Sequence, residues 1–322
     1  MATTTTTRGR GRKAYDGPRP EEILVSDLVE LMESSTLPPW RREWVGHQGE
    51  HRNLLSGHAY RGSNPILLEL GSMLRGHSLP LWLGGAEAKV KGWWPRKGSK
   101  ACRIVRPQLN QREQKDGDGQ TVKGPDGTPL ISAWVSFKPV AVFNVADLVG
   151  HDEETASTLA EAIAAALVQI EKREPAARLA AAESVLEAWP VPTLWGGTVA
   201  VYSPKLDRIS MPAQQAFTTR EAMAATWAHE QAHSTGHESR LKRNLTGSKE
   251  SESYAREELV AELAAVLICY RLEIGCQLEN HAAYLKHWAE LLKDGGPRAL
   301  FSVLSDARKA ADLIAPEAEA TV

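Results

Sequence analysis

The stretch Ala222-Met223-Ala224-Ala225-Thr226-Trp227-Ala228-His229-Glu230-Gln231-Ala232-His233 decides the reading of this chain. Its first seven residues are Ala-rich and mostly apolar, which predicts a helix packed into the interior. Positions four apart share one face of a helix, so His229 and His233 present two imidazoles to one point. That pair suits a zinc ion held at ~2.0–2.1 Å. Glu230 is rotated about 100° from His229. It can reach water polarised by the ion, which is the position of a general base.

A catalytic zinc ion takes three protein ligands, so a third must lie elsewhere. A metzincin pattern would place it three residues after Gly236, where this chain has Ser239. His237 is near, but it follows Gly236, a helix-ending residue, and reads as a neighbour of the site or an alternative ligand. The next predicted helix, Tyr254–Leu272, carries Glu258 and Glu262 one turn apart among Leu259, Val260, Leu263, Val266 and Leu267. Carboxylates on a partly buried face need a positive partner. Glu258 is therefore read as the third ligand and Glu262 as the acceptor for a ligand imidazole N–H. Glu257, beside Arg256, reads as a solvated pair.

Outward from this region the chain divides by composition. Of 322 residues, 42% are apolar and 24% charged, ordinary for a globular protein with room for two domains. The net charge of −2 hides a split: residues 1–144 carry 21 Lys and Arg against 14 Asp and Glu, and the remainder is acidic. Six of the ten Trp lie in that basic part. A basic, Trp-rich half points to an anionic partner. The three Cys (Cys102, Cys269 and Cys276) show no CxxC spacing, which excludes a thiolate zinc site and a disulfide framework. Cys269 reads as core. No apolar run approaches the ~20 residues of a membrane span. The N-terminus lacks a signal-peptide core, so a cytoplasmic location is expected.

The boundary is expected near Gly150. Residues 1–18 read as a disordered basic tail, 19–150 as one domain, 151–314 as a second and 315–322 as a disordered tail. The fold class expected is α+β: a mixed α/β first domain and a mostly helical second domain with a small sheet. Periodicity predicts helices at Glu21–Ser34, Ile66–Leu74, Glu153–Lys172, Pro175–Ala188, Thr219–Thr235 and His281–Leu292. Strands are expected at 100–106 and 131–143, with a loop or β-excursion from Asn110 to Pro129 between them. A hairpin should span Gly197–Met211, with Val199, Val201 and Tyr202 facing Ile209 across Pro204–Arg208. Trp82 and Trp134 sit in apolar runs and read as core.

Trp40, Trp44, Tyr60, Trp93 and Trp94 interleave with Arg41, Arg42, Arg61, Arg96, Lys97 and Lys100. Aromatic platforms beside cations are the means by which proteins hold single-stranded nucleic acid. Gly62 and Gly98 would allow close backbone approach or tight turns.

The segment from His229 to His237, followed by Tyr254–Glu262 and preceded by Ala200–Pro212, resembles the zincin-like metallopeptidase domain of ArdC-type antirestriction proteins. Pro39-Trp40-Arg41-Arg42, Asn53 through Tyr60-Arg61-Gly62-Ser63-Asn64, Gly92 with Arg96-Lys97-Gly98, and Val142–Val145 resemble that family's N-terminal single-stranded-DNA-binding domain. The resemblance implies a gluzincin-type fold with Zn2+ on His229, His233 and Glu258, and Glu230 as catalytic base. It implies DNA contacts at Trp40, Arg41, Arg42, Asn53, Tyr60, Arg61, Asn64, Trp93, Arg96 and Lys97. The function implied is protection of phage or mobile-element DNA from host nucleases, with single-stranded DNA as partner and a host nuclease or DNA-bound protein as peptidase substrate. The alternative is a non-catalytic DNA-binding protein with a structural or vestigial zinc site, acting in DNA replication or transfer. A primase-associated module ranks below both.

Overall fold

The computed structural model describes residues 18–34, 50–169, 175–247, 251–274 and 285–317. The protein is an α+β molecule. The first half opens with helix α1 (Pro20–Ser34) and strand β1 (Arg52–Asn53), followed by α2 (Asn64–Arg75) and β2 (Leu81–Gly84). After α3 (Gly85–Val90) and β3 (Trp93–Pro95), two long strands, β4 (Cys102–Glu113) and β5 (Ile131–Asn144), form a ribbon. Then come β6 (Leu148–Gly150) and α4 (Glu153–Gln169). The main sheet has the order β1-β2-β5-β4, with β1 parallel to β2 and the other pairs antiparallel. β3 and β6 pair separately.

The second half runs through α5 (Pro175–Glu187), β7 (Thr193–Gly197), β8 (Val201–Ser203), β9 (Arg208–Pro212), α6 (Arg220–Ser234), α7 (Glu252–Arg271) and α8 (Leu285–Ile314). Tyr202 pairs with Ile209 across the β8–β9 hairpin, and β7 adds in parallel to β9, giving the order β7-β9-β8.

Packing crosses the middle of the chain in both directions. α4 lays Leu159 onto the core of Leu81, Leu83, Trp93 and Leu148. Meanwhile Leu24, Leu28 and Met32 of α1 join the core built by α6, α7 and α8. None of the described helices is long and apolar enough to cross a membrane.

Four expectations are corrected. Trp134 is 49% exposed, because the β4–β5 ribbon runs on past the helices that cover its base. Trp93 is buried at 3%, and its indole N–H donates to the Thr155 carbonyl at 3.0 Å; Trp94, on the opposite side of the pleat, is the exposed member of the pair. The last helix does not stop at Leu292. Gly296 breaks it with φ 56° and ψ −150°, and a new segment starts at Pro297, a residue suited to a helix's first turn. Residues 315–317, read as part of a loose tail, are held: Ala315 is buried and its carbonyl accepts from Arg271.

Candidate metal centre

α6 and α7 each begin with a side-chain cap. Thr219 accepts the Ala222 N–H at 3.0 Å, and Ser251 accepts the Tyr254 N–H at 3.2 Å. Their facing surfaces are rich in buried Ala, including Ala225, Ala228 and Ala232 on α6 and Ala261 and Ala265 on α7. Small side chains let two helices approach closely, and polar groups at the contact then meet across it. Gln231 fixes the outer side of α6 by donating to the Leu186 carbonyl at 2.7 Å.

At this contact His229 Nε2 and His233 Nε2 are 3.1 Å apart. The two carboxylate oxygens of Glu258 lie 3.6 Å from His229 Nε2 and 3.5 Å from His233 Nε2. Donor atoms of His229, His233 and Glu258 all lie within 4.8 Å of one another, close enough to share one metal ion. Behind them, Glu262 Oε2 is 3.4 Å from His229 Nδ1, and Glu257 Oε1 is 3.2 Å from His233 Nδ1. Each imidazole thus has a carboxylate on its far nitrogen, which fixes its tautomer and aims the other nitrogen at the shared point. Glu230 is buried on the same helix. His237 lies outside the cluster, with Nδ1 against Ser239 Oγ at 2.9 Å.

Glu257 corrects the reading of a solvated pair. It is buried, and Arg243 grips both of its oxygens at 2.8 Å while also donating to Thr235 Oγ1 and the Ala232 carbonyl. Arg256 instead reaches Asp306 on α8. Sequence reading missed Glu257 and Arg243 as parts of the site. The signal was available for the first, because adjacent helix residues point about 100° apart and do not face each other. We predict that Glu257→Gln weakens metal binding about 10- to 100-fold, the usual cost of losing a ligand's hydrogen-bond partner. Titration with a competing chelator measures this; an unchanged affinity would separate Glu257 from the site.

Burial by itself would depress the pKa of His229, but Glu258 and Glu262 outweigh it and push the imidazole up to about 9. His233 is raised likewise by Glu257 and Glu258 against burial. Burial would raise Glu258, yet the two imidazoles hold it well below the usual carboxylate range. The metal-free cluster is therefore ionic near neutrality, with protons held on the imidazole pair; the 3.1 Å contact between the two Nε2 atoms has room for one proton, not two. A metal must displace those protons, so loading at pH 7 should release protons and apparent affinity should rise with pH towards about 9. Calorimetry in buffers of different ionisation enthalpy measures the release. Loading without protons would contradict this charge state.

The other predicted contacts are dispersed. Trp40, Arg41 and Arg42 lie outside the described residues. Asn53 caps a turn, accepting the N–H groups of Leu55 and Ser56. Asn64 clamps the edge of β4, donating to the Val105 carbonyl at 3.0 Å and accepting its N–H at 2.9 Å. Tyr60 is largely buried, and its phenol is pushed up to about 12 by that burial, partly offset by a hydrogen bond with Asn53. Arg61, Arg96 and Lys97 are exposed.

Two imidazoles one turn apart, faced by a buried glutamate from the next helix, are the donor set of a zincin, and residues 180–306 match the family model of zincin-like metallopeptidases. Residues 20–143 match the N-terminal domain of anti-restriction factor ArdC. The chain is an ArdC-like protein. The antirestriction ArdC protein from the R388 plasmid shares 27% identity, with a TM-score of 0.63 in its metal-free crystal structure, over 91% of this chain and 96% of that one. Its Mn(II)-bound structure gives a TM-score of 0.61. A DNA primase TraC of Escherichia coli is 30% identical over 91% of this chain, which spans only 20% of that protein's length. An uncharacterised protein of Sinorhizobium fredii, y4eC, is 28% identical over 90% of both chains.

Proposed function

We propose that the protein is a single-stranded-DNA-binding antirestriction factor with a zinc metallopeptidase centre, protecting phage or mobile-element DNA from host nucleases. The observation that carries this reading is the buried convergence of His229, His233 and Glu258 beside Glu230. A purely structural zinc site has no use for a fourth, base-like carboxylate next to its ligands. The donor set, two imidazoles and one carboxylate, fits zinc, and the R388 relative holds Mn(II). When bound, the ion supplies Lewis-acid chemistry, acidifying water and polarising a peptide carbonyl. Glu230 accepts the proton of the attacking water and returns it to the leaving amine. Glu262 and Glu257 hold the two imidazoles in orientation, and Arg243 keeps Glu257 ionised in its buried position. Peptide substrates are expected among host nucleases or proteins on the same DNA, within the cytoplasm of the bacterial cell.

The first half supplies the DNA contacts. Arg61, Arg96 and Lys97 are exposed cations, and Trp94, 40% exposed with Lys89 over its ring at 5.3 Å, replaces Trp93 as the stacking platform. The full chain is predicted to bind oligothymidylate with an affinity that falls steeply with salt, by about 0.7 log units per log unit of salt for each phosphate contacted. Fluorescence anisotropy across a salt series measures it, and an absence of binding at low salt would remove the DNA half of the proposal.

The TraC relatives favour a second reading, a non-catalytic DNA-binding unit used in DNA replication or transfer, because a like region forms part of proteins named primases. Peptide cleavage that needs Glu230 separates the two.

A further inference from the structure

A cleft of about 980 Å³ lies where loop 61–64, the base of the β4–β5 ribbon and α8 meet. Four arginines and three glutamates line it, over apolar walls that include Val105, Phe301 and Leu304. Arg19 and Glu22 neutralise each other. Glu317 is engaged: its Oε1 accepts the Gly62 N–H at 2.7 Å and lies 3.3 Å from Arg271 Nη2. Two further cations of the lining, Arg298 and Arg308, come from α8 and face Glu21.

Arg298, Phe301, Ser305 and Arg308 recur at three- and four-residue spacing, so one stripe of α8 faces the cleft with an aromatic ring between two cations. Arg298 and Arg308 are ten residues apart, about 15 Å along the helix. That spacing suits two separated phosphates of one strand better than one anion. Among the described residues Arg308 pairs with Asp312 at 3.4 Å, an exposed contact that costs little to exchange for a phosphate. Gly62 has φ 69°, the left-handed conformation, and in it directs its N–H at the Glu317 carboxylate. A carboxylate bound by a backbone N–H and a guanidinium occupies the kind of seat a phosphate oxygen takes.

We propose that single-stranded DNA runs through this cleft, with Arg298 and Arg308 of the metallopeptidase half on its phosphates and Glu317 holding the anion seat at Gly62 until a phosphate displaces it. The inference rests on the reading that the chain binds single-stranded DNA, and deepens it: the strand is gripped by both halves at once. The metallopeptidase half would then be fixed against DNA by its own last helix.

The test uses the full-length chain, a labelled oligothymidylate and a salt series. Arg298→Glu with Arg308→Glu should weaken binding at least about tenfold and lower the salt slope by about 1.4, the share of two phosphates. Glu317→Gln should tighten binding. Arg308→Glu alone should weaken binding several-fold, whereas Lys309→Glu, the same single charge reversal on the neighbouring residue outside the cleft, should stay within about twofold, as expected of a peripheral charge screened by salt. If the double variant binds like Lys309→Glu, the cleft is overturned while the DNA reading stands. If the wild type does not bind, the DNA reading falls and the cleft with it. Metal content and a thermal melt check folding; if the double variant does not fold, Glu317→Gln decides, and unchanged or weaker binding overturns the cleft.

Discussion

A Glu258→Ala variant is expected to retain less than about a tenth of the wild-type metal after dialysis, since a lost partner to a ligand already costs 10- to 100-fold and a lost ligand costs more. Glu258 is the only carboxylate in the cluster that faces both Nε2 atoms, at 3.6 and 3.5 Å. Glu262 and Glu257 sit on the Nδ1 side of the rings and cannot replace it without turning an imidazole over. The metal-free protein should suffer too. Removing one partner of a buried ionic cluster costs about 3–5 kcal/mol when the remaining charges stay. Here His229 and His233, 3.1 Å apart, can relieve that cost by shedding protons. The variant should therefore show imidazole pKa values well below the raised wild-type ones, readable by NMR. Full metal retention would move the third ligand to another residue.

The second large effect is expected at Glu230. Glu230→Ala should keep its metal, because the three converging donors do not include it. Any peptide hydrolysis should fall about 10²- to 10⁴-fold, the usual contribution of a general base. The two variants thus separate binding from chemistry: one loses the ion, the other loses the proton acceptor. Hydrolysis at an unchanged rate in Glu230→Ala would contradict the peptidase mechanism and favour the reading drawn from the TraC relatives.

Helical periodicity made α6 and α7 legible, along with the meeting of their histidines and glutamates, because a three-to-four-residue repeat of apolar and chemical side chains survives in sequence. The β8–β9 hairpin was legible in period two, but its register was not: Tyr202 alone pairs with Ile209, Val201 pairs with Ser210, and Val199 lies outside the strand. What escaped depends on partners distant in the chain. Arg243 comes from an irregular loop after α6 and reaches Glu257 fourteen residues later, so no local pattern announces it. In the tandem Trp93-Trp94, strand alternation dictates that one ring points in and one out, but only the pairing of β3 with β6 and the cover of α4 decides which. Trp134 lies in an apolar run that resembles core, yet its strand extends past its neighbours. The helix expected to end at Leu292 continues to a break at Gly296, and the proline after a break can begin a helix, as Pro297 does. The packing of α1 on the α6–α8 core and of α4 on the first sheet was invisible to a boundary drawn from composition.

His229, His233 and Glu258 are expected to hold one zinc ion in this ArdC-like chain. X-ray absorption at the zinc edge of the loaded full-length protein tests it most directly. The expected spectrum has one ion per chain, light-atom neighbours at ~2.0–2.1 Å and the multiple scattering of two imidazoles. A sulfur shell at ~2.3 Å, a spectrum without imidazole scattering, or a chain that takes up no zinc would contradict it.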